Sequence, residues 1–262
     1  MRLGGWSRSH CPRRTPAFCV TLLRRDGSPC YVARCARTGL AADRGEAVGT
    51  VVGVTNSQAD VGKTTVAVHL AGWSQERIGR TAFVDTDVRG TGSSWLRQAS
   101  PKAEVFRLLT PDEILDNVPE LAVQFDVLVI DGPARLPEVT RAVLLVAHLA
   151  LVPCGSSATD VRAVHETIHG LRQARMIRSG PPRAVLVPNK VCTRYRPSRE
   201  LSDTLKSLSI PVIGGVHLNR AFADAAEQRT LVWQLGPRAG RAVKEITALL
   251  GALDLHGSQT GS

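Results

Sequence analysis

The chain has 262 residues, 43% of them hydrophobic and only 4% aromatic, enough for one large α/β domain whose core is built mainly of Val, Leu, Ala and Ile. No apolar run approaches the roughly eighteen residues that a membrane span requires. Of the net charge of +10, residues 1–49 carry nine Arg against three acids (+6), and residues 50–262 carry 24 basic against 20 acidic residues (+4), so overall basicity says little about a nucleic-acid partner.

Residues 1–49 mix Arg, Gly, Pro, Ser and Cys without a hydrophobic period, and hold no acid before Asp26. This segment is expected to be a basic leader, disordered or read from too early a start codon. A basic arm or an organellar targeting segment are the alternatives, while the missing apolar stretch argues against a secretory signal. Four of the six cysteines lie here, leaving Cys154 and Cys192 in the body. Nothing demands an oxidising compartment, and a cytoplasmic location is expected.

From Thr50 strands and helices alternate. Thr50–Thr55 reads as a buried strand, followed by a helix over Lys63–Ile78 with Val66, Leu70 and Trp73 on one face. His69, inside that helix, reads as a packed residue rather than a ligand. Further strands are expected at Thr81–Asp85, Glu104–Leu109, Asp126–Asp131, Leu149–Pro153, Ala184–Pro188 and Val212–Val216. Helices are expected at Pro111–Val123, Pro137–Val146, Ala158–Arg178, Ser198–Leu208, Asn219–Gln228 and Pro237–Leu250. Such alternation forces crossover connections, hence a doubly wound, mostly parallel sheet covered on both faces. Ligands then bind at the carboxyl ends of the strands.

Between the first strand of this body and its helix lies Asn56-Ser57-Gln58-Ala59-Asp60-Val61-Gly62-Lys63-Thr64-Thr65. A strand, a loop, then Gly-Lys-Thr-Thr opening a helix is the context of a phosphate-binding P-loop. Backbone N–H groups of Asp60, Val61 and Gly62 and of the helix start meet phosphates. Lys63 supplies a charge at the β- and γ-phosphates, the Thr64 hydroxyl ligates magnesium, and Thr65 adds a contact. The loop departs from the usual pattern: Ser57 replaces a glycine, and Ala59-Asp60 stand where related loops often have Gly-Gly. An acid at 60 repels phosphate unless its side chain points outward.

Asp85 and Asp87 follow the second strand of the body, and by the period of two they point to one side of an extended segment. Beside a γ-phosphate they orient the attacking water or reach magnesium through water. The other reading is a glycine-rich turn with capping acids. Asp131 ends the strand Asp126–Asp131, a usual place for an acid that supports magnesium, and Gly132 allows close backbone approach. From Thr167 to Arg199 lie eight basic residues and no acid, either a phosphate-facing patch or a solvated helix face and loop. A second basic set, Arg220, Arg229, Arg238, Arg241 and Lys244, lies near the C-terminal helices.

Three blocks in order, Gln58–Thr65, Asp85–Ser94 and Val129–Pro133, resemble those of the ParA/MinD family of deviant-Walker ATPases, most specifically the ParF-like plasmid-partition branch. The resemblance covers about Val51 to Leu253. It implies a P-loop NTPase fold, ATP and Mg2+ as ligands, slow hydrolysis, an ATP-dependent homodimer and non-specific DNA or membrane binding. It also implies a stimulating partition or adaptor protein that helps position a plasmid, chromosome or other cargo. By match, Asp87 polarises the attacking water, with Asp85 as the second candidate, and Pro188-Asn189 falls where the family contacts adenine. The family's signature lysine is Gln58 here, which puts catalysis across a dimer in question; Arg89 is a substitute by position.

The sequence Val54–Thr64 also resembles the loop of dethiobiotin synthetase, which tolerates an acid at the Asp60 position. That leaves an ATP-dependent enzyme of this type, or a nucleotide-binding switch with little hydrolysis, as alternatives. Between DNA and membrane the residues favour DNA: the sequence 254–262 is polar and lacks Lys and Arg, unlike the basic amphipathic helix of a membrane-bound relative. Arg220, Arg238, Arg241 and Lys244 are the expected phosphate contacts, giving a nucleoid-associated protein.

Overall fold

The fold was obtained as a computed structural model that describes residues 21–23, 29–31, 48–192, 194–196, 201 and 204–255. The chain divides into residues 1–45 and 46–262. In the first unit β1 (Thr21–Leu23) and β2 (Pro29–Tyr31) pair antiparallel, with Leu22 opposite Cys30. The remaining expectations for the leader lie outside the described residues, as does the tail beyond Leu255.

In the second unit, β3 (Thr50–Val54), β4 (Thr81–Asp85), β5 (Glu104–Arg107), β6 (Val127–Asp131), β7 (Leu149–Cys154), β8 (Arg183–Val191) and β9 (Val216–His217) form one sheet in the order β5-β4-β6-β3-β7-β8-β9. Every neighbouring pair is parallel, as the strand–helix alternation requires. The central strands are buried on both faces, which is why they read as unbroken apolar runs rather than alternating ones.

The period of two sorts each strand between two cores. Val52, Val54, Phe83, Val127, Val129, Leu149, Leu151 and Val187 join the core under α1 (Lys63–Arg77), α2 (Thr91–Ala99) and the C-terminal helices α6 (Arg220–Glu227) and α7 (Gly240–Gly251). Val51, Ala82, Val84, Leu128 and Ile130 face α3 (Pro111–Ala122) and α4 (Pro137–Val146), and Ala150, Val152 and Leu186 face α5 (Ala158–Arg178). On β3 the second face is completed by Gly53, where a Cβ would stand 2.7 Å from Val143. Local signals set two helix starts. Thr110 and Glu113 form a capping box ahead of Pro111, and Ser157 and Asp160 form one at α5, each worth about 1 kcal/mol.

Val66, Leu70 and Trp73 of α1 pack into one core, and burial extends over Val66 through Gly72, because the helix is covered on more than one side. Thr91–Ala99, where the sequence suggests no element, is a helix. Two expectations are corrected. The strand at Val212–Val216 reduces to a bridge between Val212 and Leu186 and the two-residue β9. The helix at Pro237–Leu250 begins with a 3-10 turn over Pro237–Ala239. The helix expected at Ser198–Leu208 lies partly outside the described residues.

His69 is fully buried, as expected of a packed residue. Its Nδ1 lies 2.7 Å from the Thr65 carbonyl and its Nε2 accepts from the Val232 N–H at 3.2 Å, which sets the Nδ1–H tautomer. Trp95, Phe222 and Trp233 surround the ring edge-on at 5.5–5.6 Å. Burial pushes its pKa down from 6.5 to about 4, against a smaller upward pull from the Thr65 carbonyl. The folded state thus favours neutral His69, and its contribution is complete above pH 6.5 and lost as pH falls towards 4. From pH 7.5 to 5 this group should remove about 2 kcal/mol of stability. Urea unfolding at both pH values checks this: the loss should be smaller by that amount in His69→Gln, and equal losses in both proteins would refute it.

Candidate nucleotide site

The P-loop leaves β3 at Val54 and is held by its backbone. The Asn56 amide donates to the Pro153 carbonyl at 2.8 Å and accepts from the Gln58 N–H at 2.9 Å. Ser57, in place of a glycine, finds a partner on α5: its hydroxyl donates to Glu166 Oε2 at 2.8 Å. Asp60 takes the left-handed backbone, φ 59°, and is exposed, which satisfies the requirement that this acid turn outward. Gly62 caps α1 at φ 90°, and a side chain there would run into the Asn189 amide. No acid occupies the first turn of α1, so its N–H groups and dipole present a site for negative charge.

Lys63, buried to 7% exposure, donates through Nζ to the Gln58 carbonyl at 2.6 Å. Burial lowers its pKa, opposed by the charges of Asp131, Asp60 and Asp87. Asp131 is buried, and burial pushes its carboxyl up to about 8; the Thr64 hydroxyl and Lys63 pull it down, while Asp85 and Asp87 add to the rise. Its Oδ1 has no hydrogen-bond partner. A buried, unpartnered carboxylate oxygen next to a threonine hydroxyl fits a hard divalent cation, which would hold Asp131 ionised. Among the described residues no group of three or more His, Cys, Asp or Glu is arranged to hold a metal ion by itself.

Strand register brings the acids into one row: Asp85 and Val54 both stand opposite Asp131. Asp85 and Asp87 then part. Asp85 is fully buried, and its oxygens accept from the Asp87 N–H at 3.0 Å and the Ser93 N–H at 2.7 Å. It fixes the first turn of α2 as a capping acid. Asp87 is partly exposed, accepts from the Arg89 N–H at 2.9 Å and lies 3.7 Å from Arg89 Nε. Arg89, the candidate to replace the missing lysine, is thus the partner of Asp87. Arg107 of β5, which sequence reasoning missed, donates to the Asp87 and Val88 carbonyls at 3.3 and 2.7 Å and steadies this loop. Gly132 makes a close approach to β3: a Cβ there would stand 2.7 Å from the Val54 carbonyl.

At the other end of the loop a cavity of about 260 Å³ is lined by Gly62, Thr65, Asn189, His217, Asn219 and Phe222, among others. Asn189 donates its amide N–H to the Val61 carbonyl at 2.7 Å, and Pro188 sits beside it within β8 without lining the cavity. His217 is held by Glu245, which also pairs with Arg241 at 2.8 Å. Arg220 pairs with Asp224 at 3.3 Å, and Arg220, Arg238, Arg241 and Lys244 are all exposed. The acid-free stretch from Thr167 does not make one patch. Arg183 begins β8 and Lys190 lies near its far end, while Arg175, Arg178 and Arg183 donate to the carbonyls of Pro182, Ala147 and Asp254.

No helix among the described residues is long and apolar enough to cross a membrane. Residues 52–232 match the model of the CobQ/CobB/MinD/ParA nucleotide binding domain. The chain is 29% identical over 166 residues to the maintenance of carboxysome distribution protein A of Gloeobacter kilaueensis, covering 62% of this chain and 73% of that protein. It is 25% identical to protein IncC of Escherichia coli, covering 74% of this chain and 66% of that protein. The structure of a Cyanothece McdA variant in complex with ATP superposes with a TM-score of 0.66 at 14% identity, covering 80% of this chain and all of that one. A seven-stranded parallel sheet with a P-loop at its centre and this match over most of its length lead to one conclusion: the chain belongs to the CobQ/CobB/MinD/ParA family of nucleotide-binding proteins.

Proposed function

We propose that this protein is an ATP-hydrolysing positioning ATPase that dimerises on MgATP and binds duplex DNA without sequence preference. The observation that carries the nucleotide reading is the buried, unpartnered Asp131 Oδ1 beside Thr64, with Lys63 at the start of α1. Lys63 neutralises the β- and γ-phosphates, and Thr64 and Asp131 hold magnesium. A magnesium ion held there would supply charge withdrawal from the phosphates. Asp87 orients the attacking water, and Asp85 positions the loop through α2. The cavity beside Gly62 takes the adenine base, with Asn189 at its wall. With Gln58 in place of the signature lysine, turnover is slow and depends on a stimulating partner protein encoded nearby.

The DNA reading is supported by a physical link. Asn219 and Phe222, which line the cavity, belong to the start of α6 with Arg220, and His217 is tied through Glu245 to Arg241. A ligand in the cavity therefore bears on the elements that carry the basic set. Contacts of this kind go to phosphates, so binding should be sequence-independent and fall steeply with salt. With residues 1–49 removed, so that their arginines contribute nothing, the protein should bind random duplex in low salt with MgATP and weakly without it. Arg238→Ala/Arg241→Ala should lower the salt slope by about 2, one unit per phosphate contact. No duplex binding with MgATP in low salt refutes the DNA reading and favours a switch or a small-molecule enzyme on the same fold.

A further inference from the structure

The loop's departures from the glycine-rich pattern raise a physical question: what holds Asp60, a non-glycine residue, at φ 59°? The flanking hydrogen bonds of Asn56 and Ser57 act on the loop's first half. The second half is reached from β8, across the sheet. Lys190 Nζ donates to the Asp60 carbonyl at 2.6 Å, and the adjacent Asn189 amide donates to the Val61 carbonyl at 2.7 Å. Two consecutive side chains thus take two consecutive loop carbonyls.

Three features build this contact. The pairing of β8 with β9 shifts register between Asn189 and Val191, leaving Lys190 as the extra residue of a bulge, a device that re-aims a side chain. Lys190 itself adopts the left-handed backbone, φ 55°. Gly62 leaves the space that the Asn189 amide occupies. Drawing the two carbonyls away from the loop's centre leaves the N–H groups of the same peptides facing the other way, towards the place where phosphates bind.

We propose that Lys190 is a positioning residue that clamps the P-loop, supplying through a hydrogen bond the conformational control that a glycine at position 60 would give without one. The proposal rests on the nucleotide reading above and deepens it. Lys190 acts on the loop backbone and not on the phosphates, so its effect depends on what occupies position 60. Lys190→Met keeps the stem and removes the donor. It should weaken MgATP binding about tenfold or more, the loss of one charge-assisted hydrogen bond, while Lys190→Arg stays near wild type. In Lys190→Met/Asp60→Gly most of the affinity should return, because glycine enters the left-handed region freely.

The test is calorimetric titration of MgATP into the full-length variants, with hydrogen exchange of residues 56–66 measured on each protein without nucleotide. Exchange should quicken in Lys190→Met, with unchanged melting temperature because Lys190 is exposed. Wild-type affinity in Lys190→Met, with binding lost in Lys63→Ala, overturns the clamp and leaves the nucleotide reading standing. A double variant as weak as Lys190→Met makes Lys190, which also lines the cavity, a direct nucleotide contact and overturns the clamp. Equal binding by wild type and Lys63→Ala overturns the nucleotide reading; unchanged loop exchange then removes the clamp independently.

Discussion

Lys63→Ala is expected to abolish measurable MgATP binding while leaving the protein folded. Lys63 is the only basic residue between Asn56 and Thr65, and Asp60, Asp87 and Asp131 all act on its ammonium. Without it a triphosphate would lose the loop's own cation while the charges of Asp60, Asp87 and Asp131 remain. Loss of a charge-assisted contact of this kind costs about 3 kcal/mol, roughly a hundredfold in Kd, and the exposed acids add to it. The fold should tolerate the change. Burial already disfavours the charged form of Lys63, and its one hydrogen bond runs to a carbonyl of the same loop. Calorimetry of MgATP on both proteins decides the matter, with thermal melting as the control. Unchanged affinity in the variant would mean that this loop does not bind phosphate.

The second large effect is expected at Asp87. Asp87→Ala should leave MgATP affinity within a few-fold of wild type and reduce phosphate release at saturating MgATP by roughly a hundredfold or more, the usual scale for a group that positions or polarises an attacking water. Asp87 is partly exposed and its carboxylate accepts from Arg89 of its own loop, so removing it should cost little stability. Asp85→Ala is the contrast. That carboxylate is buried and accepts two backbone N–H groups, one of them at the start of α2. The variant should melt at clearly lower temperature, since the buried Ser93 N–H loses its acceptor, at about 1–3 kcal/mol, and the half-buried Asp87 N–H loses its own. Equal turnover in Asp87→Ala and wild type would transfer the water-orienting role elsewhere.

The contrast between these two aspartates shows where the sequence is legible. Their spacing in Val84-Asp85-Thr86-Asp87 indicates a common side, and the strand register does set Asp85 in one row with Asp131. It does not indicate that α2 follows. Thr91-Gly92-Ser93-Ser94 has poor helix propensity, and the helix forms because Asp85 accepts at its N-terminus and Trp95 and Leu96 sink into the core. The stripe read on α1 is only part of its buried surface for a related reason. A helix in the centre of a layer is covered on several sides, so its burial is not confined to one periodic face.

By itself, the sequence determined the parallel α/β sheet, the Gly-Lys-Thr-Thr start of α1 and the acids at the ends of β4 and β6. Those features rest on local hydrophobic runs, turn residues and spacing, which a short window contains. Tertiary structure alone decided what holds the loop and what each acid does. Asn189 and Lys190 reach Val61 and Asp60 across 128 and 130 residues of chain, Arg107 reaches Val88 from another strand, and Glu166 answers Ser57 from α5. Each is a hydrogen bond between residues brought together by strand order β3-β7-β8 or by helix packing, and no local pattern encodes a partner that the chain meets only after the sheet has formed.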